Sequence, residues 1–247
     1  MAAYFISDLH LGAGYVADKR EHESRVVSFL KSIEEDCTEL YLLGDILDFW
    51  FEYREVVPRG FIRFFGQLAE MADKGVRIVW MIGNHDIWLF DYLKNEIGMD
   101  VVDGTLVREI YGKRFLMNHG DGVGNLKWSF RLIRSLFRNR IAQKLGSAVH
   151  PRWLVGLAHV WSGHSKKKGG YTLPEDIAIN PYKKFAEEYN LAHPDAQVDF
   201  FLFGHQHVLV SETMKENNAE VAIIGDWLRI FSYARFDGEK LTISTYS

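Results

Sequence analysis

The stretch Arg77–Trp88, RIVWMIGNHDIW, begins as a buried strand and ends in polar chemistry. Ile78, Val79 and Ile82 are β-branched and apolar, as a strand covered on both faces requires. Gly83, Asn84, His85 and Asp86 follow at once, with little apolar surface among them. The pattern recurs along the chain. AYFIS leads to Asp8-Leu9-His10, and LYLL to Gly44-Asp45-Ile46-Leu47-Asp48. RFLMN leads to His119-Gly120-Asp121, and DFFLF to Gly204-His205-Gln206-His207. Glycine before Asp45, Asn84 and His205 lets the backbone turn and lets other groups approach closely.

Helical patterns lie between the first of these strands. Glu23–Glu35 places Val26, Val27, Leu30 and Ile33 on one side, and Phe61–Asp73 does the same with Phe61, Phe64, Phe65, Leu68 and Met71. Strand–helix–strand succession predicts an α/β fold with parallel strands. In such sheets ligands sit beyond the carboxyl ends of the strands, so successive strands would deliver their polar groups to one edge. Asp8, Asp45, Asn84 and His119 are separated by 37, 39 and 35 residues, each about one βαβ unit. His119 to His205 is 86, which predicts an insertion.

The 247 residues suffice for one large domain. The single cysteine, Cys37, cannot form an internal disulfide, which favours a reducing compartment. The first residues, MAAYFISDLH, do not read as a signal peptide, and no run of ~18 apolar residues exists to span a bilayer. Charge is unevenly spread. Residues 122–174 contain ten Lys and Arg and no Asp or Glu, so the rest of the chain carries a net charge of −14.

Carboxylate and imidazole together, without thiolate, suit divalent Mn, Zn or Fe. Seven candidates, Asp8, His10, Asp45, Asn84, His119, His205 and His207, are too many for one ion and about right for two, with Asp45 the candidate bridge. Paired ions activate water and steady an in-line attack on phosphorus. Taken singly, the residues have plainer readings. Asp8 suits a turn, Asp86 suits the N-cap of a helix over Ile87–Glu96, and the histidines suit a buried core. Asp48 and Asp121 suit supporting or loop roles.

DxH, GDxxD, GNHD, HG and GHxH, in that order, resemble the calcineurin-like metallophosphoesterases. The resemblance implies a four-layer α/β/β/α sandwich forming one domain over 1–247, with a helical insert or lid at 123–170, and the last strands, around Asp199–Phe203, Val208–Thr213, Val221–Ile224 and Phe231–Phe236, would finish its second sheet. It implies one metal on Asp8, His10, Asp45 and His207 and a second on Asp45, Asn84, His119 and His205. It implies that His85 steadies the phosphate and protonates the leaving oxygen, with Asp86 orienting it. GDILDFWFEY, NHGDGVG, LFRNRIAQKL, HPRW, WSGHSKK and IIGDWLRIFSYARFDG are similar to the UDP-2,3-diacylglucosamine diphosphatase branch. That likeness implies cleavage of a lipid nucleotide to UMP and the acylated sugar 1-phosphate in lipid A synthesis, commonly with manganese. The enzyme would be cytoplasmic and peripheral to the inner membrane. The branch often has arginine at the position of His85, whereas imidazole can also give a proton.

The insert agrees with such a substrate. Lys127, Arg131, Arg134 and Arg138 fall on one helical face, and Phe130, Ile133, Phe137 and Ile141 on another. HPRWLVGLAHVW reads as a second, more apolar helix opened by Pro151. Lys127, Arg131, Arg134, His164, Ser165 and Lys168 are the candidate phosphate or sugar contacts, with Asp121 beside them. An ordinary solvated basic face is the alternative. Nucleic acid is disfavoured because Phe130, Phe137, Trp153, Leu154 and Trp161 exceed what phosphate tracking needs. A phosphoesterase of another nucleotide or phosphodiester, and a non-catalytic scaffold of the same fold, are the rival readings.

Overall fold

A computed structural model describes residues 1–124, 128–150, 153, 156 and 174–247, with only the backbone of Ser129 and Phe130. Two mixed sheets face each other. The first runs in the order β11-β10-β1-β2-β3-β4. Its members are β1 (Ala2–Ile6), β2 (Cys37–Leu42), β3 (Arg77–Met81), β4 (Asp100–Val102), β10 (Ser232–Phe236) and β11 (Leu241–Thr245). The second runs β5-β6-β7-β9-β8, from β5 (Leu106–Ile110), β6 (Lys113–Asn118), β7 (Phe200–Phe203), β8 (Leu209–Thr213) and β9 (Glu220–Ile224). β1, β2, β3 and β4 are parallel, as are β6, β7 and β9.

The strand period of two sorts side chains into separate cores. Ala3, Phe5, Tyr41, Leu43, Val79 and Met81 point inward and meet Phe115, Met117, Leu202, Ala222 and Ile224 of the facing sheet. Phe5 stacks on Tyr41 and on Phe115 at 5.0 and 5.5 Å. The alternate residues, Tyr4, Ile6, Leu40, Leu42, Ile78 and Trp80, pack outward against helices. These are α1 (Lys19–Ile33), through Val26, Phe29, Leu30 and Ile33, and α2 (Ile62–Asp73), through Phe64, Leu68 and Met71. On the far side Leu116, Phe201, Phe203, Val221 and Ile223 pack under the long helix Glu175–Ala192 through Ile179, Tyr182 and Ala186. The layers are therefore α/β/β/α.

Three expectations change. The strand around Phe231–Phe236 does not finish the second sheet. It is β10, antiparallel to β1, and fills the edge that the parallel β1–β2 pairing leaves open. Alternation alone cannot say which sheet a strand joins. No helix starts at Ile87. Trp88 instead bridges to Phe51, and α3 spans Tyr92–Ile97, where buried Glu52 accepts from the amides of Phe90, Asp91 and Tyr92. The insert helix does not run on to Ile141. α4 (Trp128–Arg138) stops at Asn139, whose side chain accepts from the amides of Ile141 and Ala142 and caps α5 (Arg140–Ser147). The helix Glu175–Ala192 is α6 in this numbering. The proposed helix HPRWLVGLAHVW and the basic turn after it lie largely outside the described residues.

Candidate metal centre

Loops after β1, β2, β3, β6 and β7 converge at one edge of the sandwich. Side-chain atoms of Asp8, His10 and His207 lie within 4.8 Å of one another, as do those of Asp45, His119 and His205. Asp45 Oδ2 stands between the groups, 3.8 Å from His10 Nε2 and 3.3 Å from His119 Nε2. Asn84 Oδ1 is 3.3 Å from His119 Nε2. All seven expected ligands are thus brought together, with one carboxylate facing both sets.

The backbone is bent to achieve this. Asp8, His10, Asp45, His205 and His207 have φ of 54, 45, 52, 70 and 54°, in the left-handed region that side-chain-bearing residues avoid. Such conformations persist where the surroundings over-determine them and cluster at functional sites. Gly83 and Gly204 are required for a different reason. A Cβ on Gly83 would overlap Asp45, and one on Gly204 would overlap Ser7 and approach Asp8 Oδ2 to 2.6 Å.

Carbonyl partners fix the ring tautomers. His119 donates Nδ1–H to the Leu43 carbonyl at 2.8 Å, and His85 donates Nδ1–H to the Asp48 carbonyl at 3.0 Å. In each ring Nε2 is left facing the centre. Burial opposes charge on His10 and His119, but the carboxylates outweigh it. His10 is pushed up to about 9 by Asp48, Asp8 and Asp45, and His119 up to about 10 by Asp45 and Asp8. His205, half-buried and beside His119, falls to about 4 through desolvation and the neighbouring imidazole. Burial would raise Asp8 and Asp45 as well, yet the neighbouring histidines hold both carboxyls well below the usual range.

These residues fit divalent cations. Asp8 Oδ1 is buried without a hydrogen-bond partner, 3.8 Å from His10 Nε2 and 3.5 Å from His207 Nε2. A buried anionic oxygen left unpaired is costly unless a cation meets it. The oxygen and nitrogen donors suit Mn, Zn or Fe.

A family model for calcineurin-like phosphoesterases matches residues 1–209. The chain belongs to the calcineurin-like phosphoesterase family. It is 42% identical over 255 residues to UDP-2,3-diacylglucosamine hydrolase of Porphyromonas gingivalis, covering 98% of this chain and 96% of the relative. Relatives of the same name from Neisseria meningitidis and Serratia proteamaculans are 27 and 25% identical, over 96 and 92% of this chain and 95 and 91% of theirs. An archaeal phosphodiesterase of known structure shares the fold, with a TM-score of 0.51 over 100% of both chains at 13% identity. This phosphoesterase is a metal-dependent hydrolase.

Two roles differ from expectation. Asp86 neither caps a helix nor reaches the ring of His85. Its oxygens accept from the Gly83 and Ile46 amides and from Trp80 Nε1, at 2.8, 2.9 and 3.1 Å, which locks the turn after β3 to the turn after β2. The His85 ring is held by Asp48, whose Oδ1 is also 3.5 Å from His85 Nδ1 and 3.6 Å from His10 Nδ1. Asp121 is buried and occupied by the insert, accepting from Arg134 Nε at 2.7 Å and Arg138 Nη1 at 3.4 Å. Arg134, expected on phosphate, is the cation it pairs with. Arg131 is exposed and lines a cavity of ≈ 610 Å³ with Gly122, Arg134, Ser135 and Arg138. Lys127, His164, Ser165 and Lys168 lie outside the described residues.

The insert is tied to both halves of the edge. Trp88 Nε1 donates to the Phe137 carbonyl at 2.9 Å on the β3 side, while Asp121 holds α4 on the β6 side. Sequence reasoning missed Asp226, whose carboxylate lies 3.2 Å from His207 Nδ1. The signal was present: Ile224-Gly225-Asp226 closes β9 as Leu43-Gly44-Asp45 closes β2.

Proposed function

We propose that this phosphoesterase hydrolyses the pyrophosphate of UDP-2,3-diacylglucosamine, giving UMP and 2,3-diacylglucosamine 1-phosphate, with manganese as its metal. The observation that carries the reading is the pair of ligand groups joined at Asp45 Oδ2 beneath a basic, apolar insert. The near-full-length likeness to the Porphyromonas gingivalis hydrolase supports the substrate.

Asp8, His10, Asp45 and His207 would hold one ion, and Asp45, Asn84, His119 and His205 the other. Bound divalent ions supply a water-derived nucleophile at neutral pH and neutralise charge on the phosphoryl oxygens. The chain's own residues do the rest. Asn84 directs its amide at the reacting phosphate. His85 is half-buried, with Nδ1–H committed to Asp48. Burial disfavours its charge, yet Asp45 and Asp48 outweigh that and raise it above the ordinary imidazole range. Its Nε2–H is then the proton that the leaving sugar phosphate oxygen takes. Attack falls on the uridylyl phosphorus, so the new oxygen ends in UMP.

The lipid part calls for apolar surface near the centre. Leu11 and Phe49, next in sequence to His10 and Asp48, line a cavity of ≈ 910 Å³ with Val57, Phe61 and the cations Arg59 and Arg63. The outer face of the insert is also apolar. Trp128, Leu132 and Leu136 recur every four residues on α4, and Ile141 and Leu145 do so on α5, all exposed among Arg131, Arg140 and Lys144. No described helix is long and apolar enough to cross a membrane. An exposed apolar stripe with basic flanks and no acid supports peripheral contact with an anionic bilayer, the inner membrane's cytoplasmic face.

The test is hydrolysis in H₂¹⁸O with Mn²⁺ present. Mass spectrometry should find ¹⁸O in UMP. Label in the sugar 1-phosphate would reverse the assigned direction of attack. Faster turnover of a cyclic nucleotide or DNA than of the lipid nucleotide would overturn the substrate.

A further inference from the structure

Asp226 is fully buried behind the ring of His207 and belongs to neither ligand group. Its two oxygens have separate partners. Oδ1 accepts from the amides of Leu228, Arg229 and Ile230 at 3.0, 2.8 and 3.2 Å. Oδ2 accepts from His207 Nδ1 at 3.2 Å, with Arg229 Nη2 3.5 Å away. A carboxylate only accepts, so His207 Nδ1 carries the hydrogen and Nε2 keeps its lone pair. Nε2 is the atom facing Asp8 Oδ1 and, at 3.3 Å, His10 Nε2.

The same loop also holds Asp8. The Trp227 amide donates to the Asp8 carbonyl at 3.1 Å, while the Trp227 indole N–H donates to the Ser232 carbonyl at 2.8 Å. The loop therefore grips two residues of one ligand group from behind. Among the described residues the other group shows no such carboxylate behind a ring. His119 leans on the neutral carbonyl of Leu43. An anionic partner makes a histidine a stronger donor to metal than a carbonyl does.

We propose that Asp226 is a positioning residue that selects the metal-binding tautomer of His207 and strengthens one ion of the pair over the other. The proposal rests on reading Asp8, His10 and His207 as a metal group.

Asp226→Asn separates this role from simple loop support. Three amides point at the Oδ1 position, so the asparagine oxygen must sit there and keep the loop. The amide NH₂ then faces His207 Nδ1 and, being a donor, drives the ring to the Nε2–H form, which cannot ligate through Nε2. Titration of the metal-free protein with Mn²⁺ should show two ions bound by the wild type. In Asp226→Asn one affinity should fall ~10–100-fold and the other stay near its wild-type value, with the melting temperature of the metal-free protein little changed. Independently of any variant, ¹⁵N spectra of metal-free wild type, at a pH where the ring is neutral, should show His207 protonated at Nδ1. Two unchanged affinities, an Nε2–H ring in the wild type, or joint loss of both ions with the fold would each overturn the proposal. A wild type that takes up no ion would instead sink the metal reading beneath it.

Discussion

Gly83→Ala should cripple the enzyme through a single methyl group. The Gly83 backbone lies outside the left-handed region, so alanine adopts it freely. The harm comes from what the new Cβ meets. It would overlap both Oδ1 and the amide nitrogen of Asp45 and stand 3.0 Å from Cγ, where ordinary contact begins at 3.4 Å. Asp45 has nowhere to withdraw. It is buried, its Oδ1 accepts from the His85 amide at 2.8 Å, and its Oδ2 faces His119 at 3.3 Å. Overpacking of this kind costs ~1–3 kcal/mol of stability. Moving the shared carboxylate by about 1 Å costs about 10²-fold in rate. Initial rates at saturating Mn²⁺ and a urea midpoint measure the two effects. Gly66→Ala is the control. It lies inside α2 with open space around its Cβ, so the same change should stabilise by ~0.5–1 kcal/mol and leave the rate alone. Near-normal rate and metal affinity in Gly83→Ala would refute the wedged position of Asp45.

His85→Ala should lower kcat by ~10²–10⁴-fold while both ions still bind, because it removes the proton donor and no ligand. Steady-state rates beside a metal titration check this, and an unchanged kcat would dismiss His85 as the acid. His10 and His119, raised from 6.5 to about 9 and about 10, hold protons in the metal-free protein at neutral pH. Their contribution to its stability is complete below pH ~6.5, the unfolded value, and is lost as pH climbs through about 9 and 10. Metal must displace those protons, so mixing Mn²⁺ with the protein at pH 8 should acidify a weakly buffered solution and affinity should rise with pH; no proton release would contradict the assignment. Leu132→Ser with Leu145→Ser should weaken co-sedimentation with phosphatidylglycerol vesicles ~10-fold or more, at unchanged hydrolysis of detergent-dispersed substrate. Equal binding by this variant would move the membrane contact elsewhere.

The candidate ligand set was legible because strand ends repeat a simple grammar: an apolar run, then a polar group, with glycine between them at Asp45, Asn84 and His205. Asp8, Asp45, Asn84, His119 and His205 each follow a strand, and parallel pairing puts those ends together. What did not show was anything decided by a partner distant in sequence. Asp86 looked like a helix cap because capping is local, yet its acceptors are spent on Ile46 and Trp80, which only tertiary packing brings near. Asp121 and Arg134 looked like separate substrate contacts, and pairing with each other consumes much of both charges. β10 changed sheets because Ala234 and Phe236 suit the inner core from either side, and the open edge of β1 made the choice. Asp226 follows the same grammar, but it meets the candidate centre only through the ring of His207, a partner that local sequence does not reveal.

The left-handed joints at Asp8, His10, Asp45, His205 and His207 have a consequence for the protein before it meets a metal. Each holds its chain in a shape worth ~1–3 kcal/mol less than its neighbours'. Without cations, nothing repays the strain in those five hinges, and they push back against the fold. A cell starved of the ion would therefore carry a sprung version of this enzyme, one less stable than the loaded form.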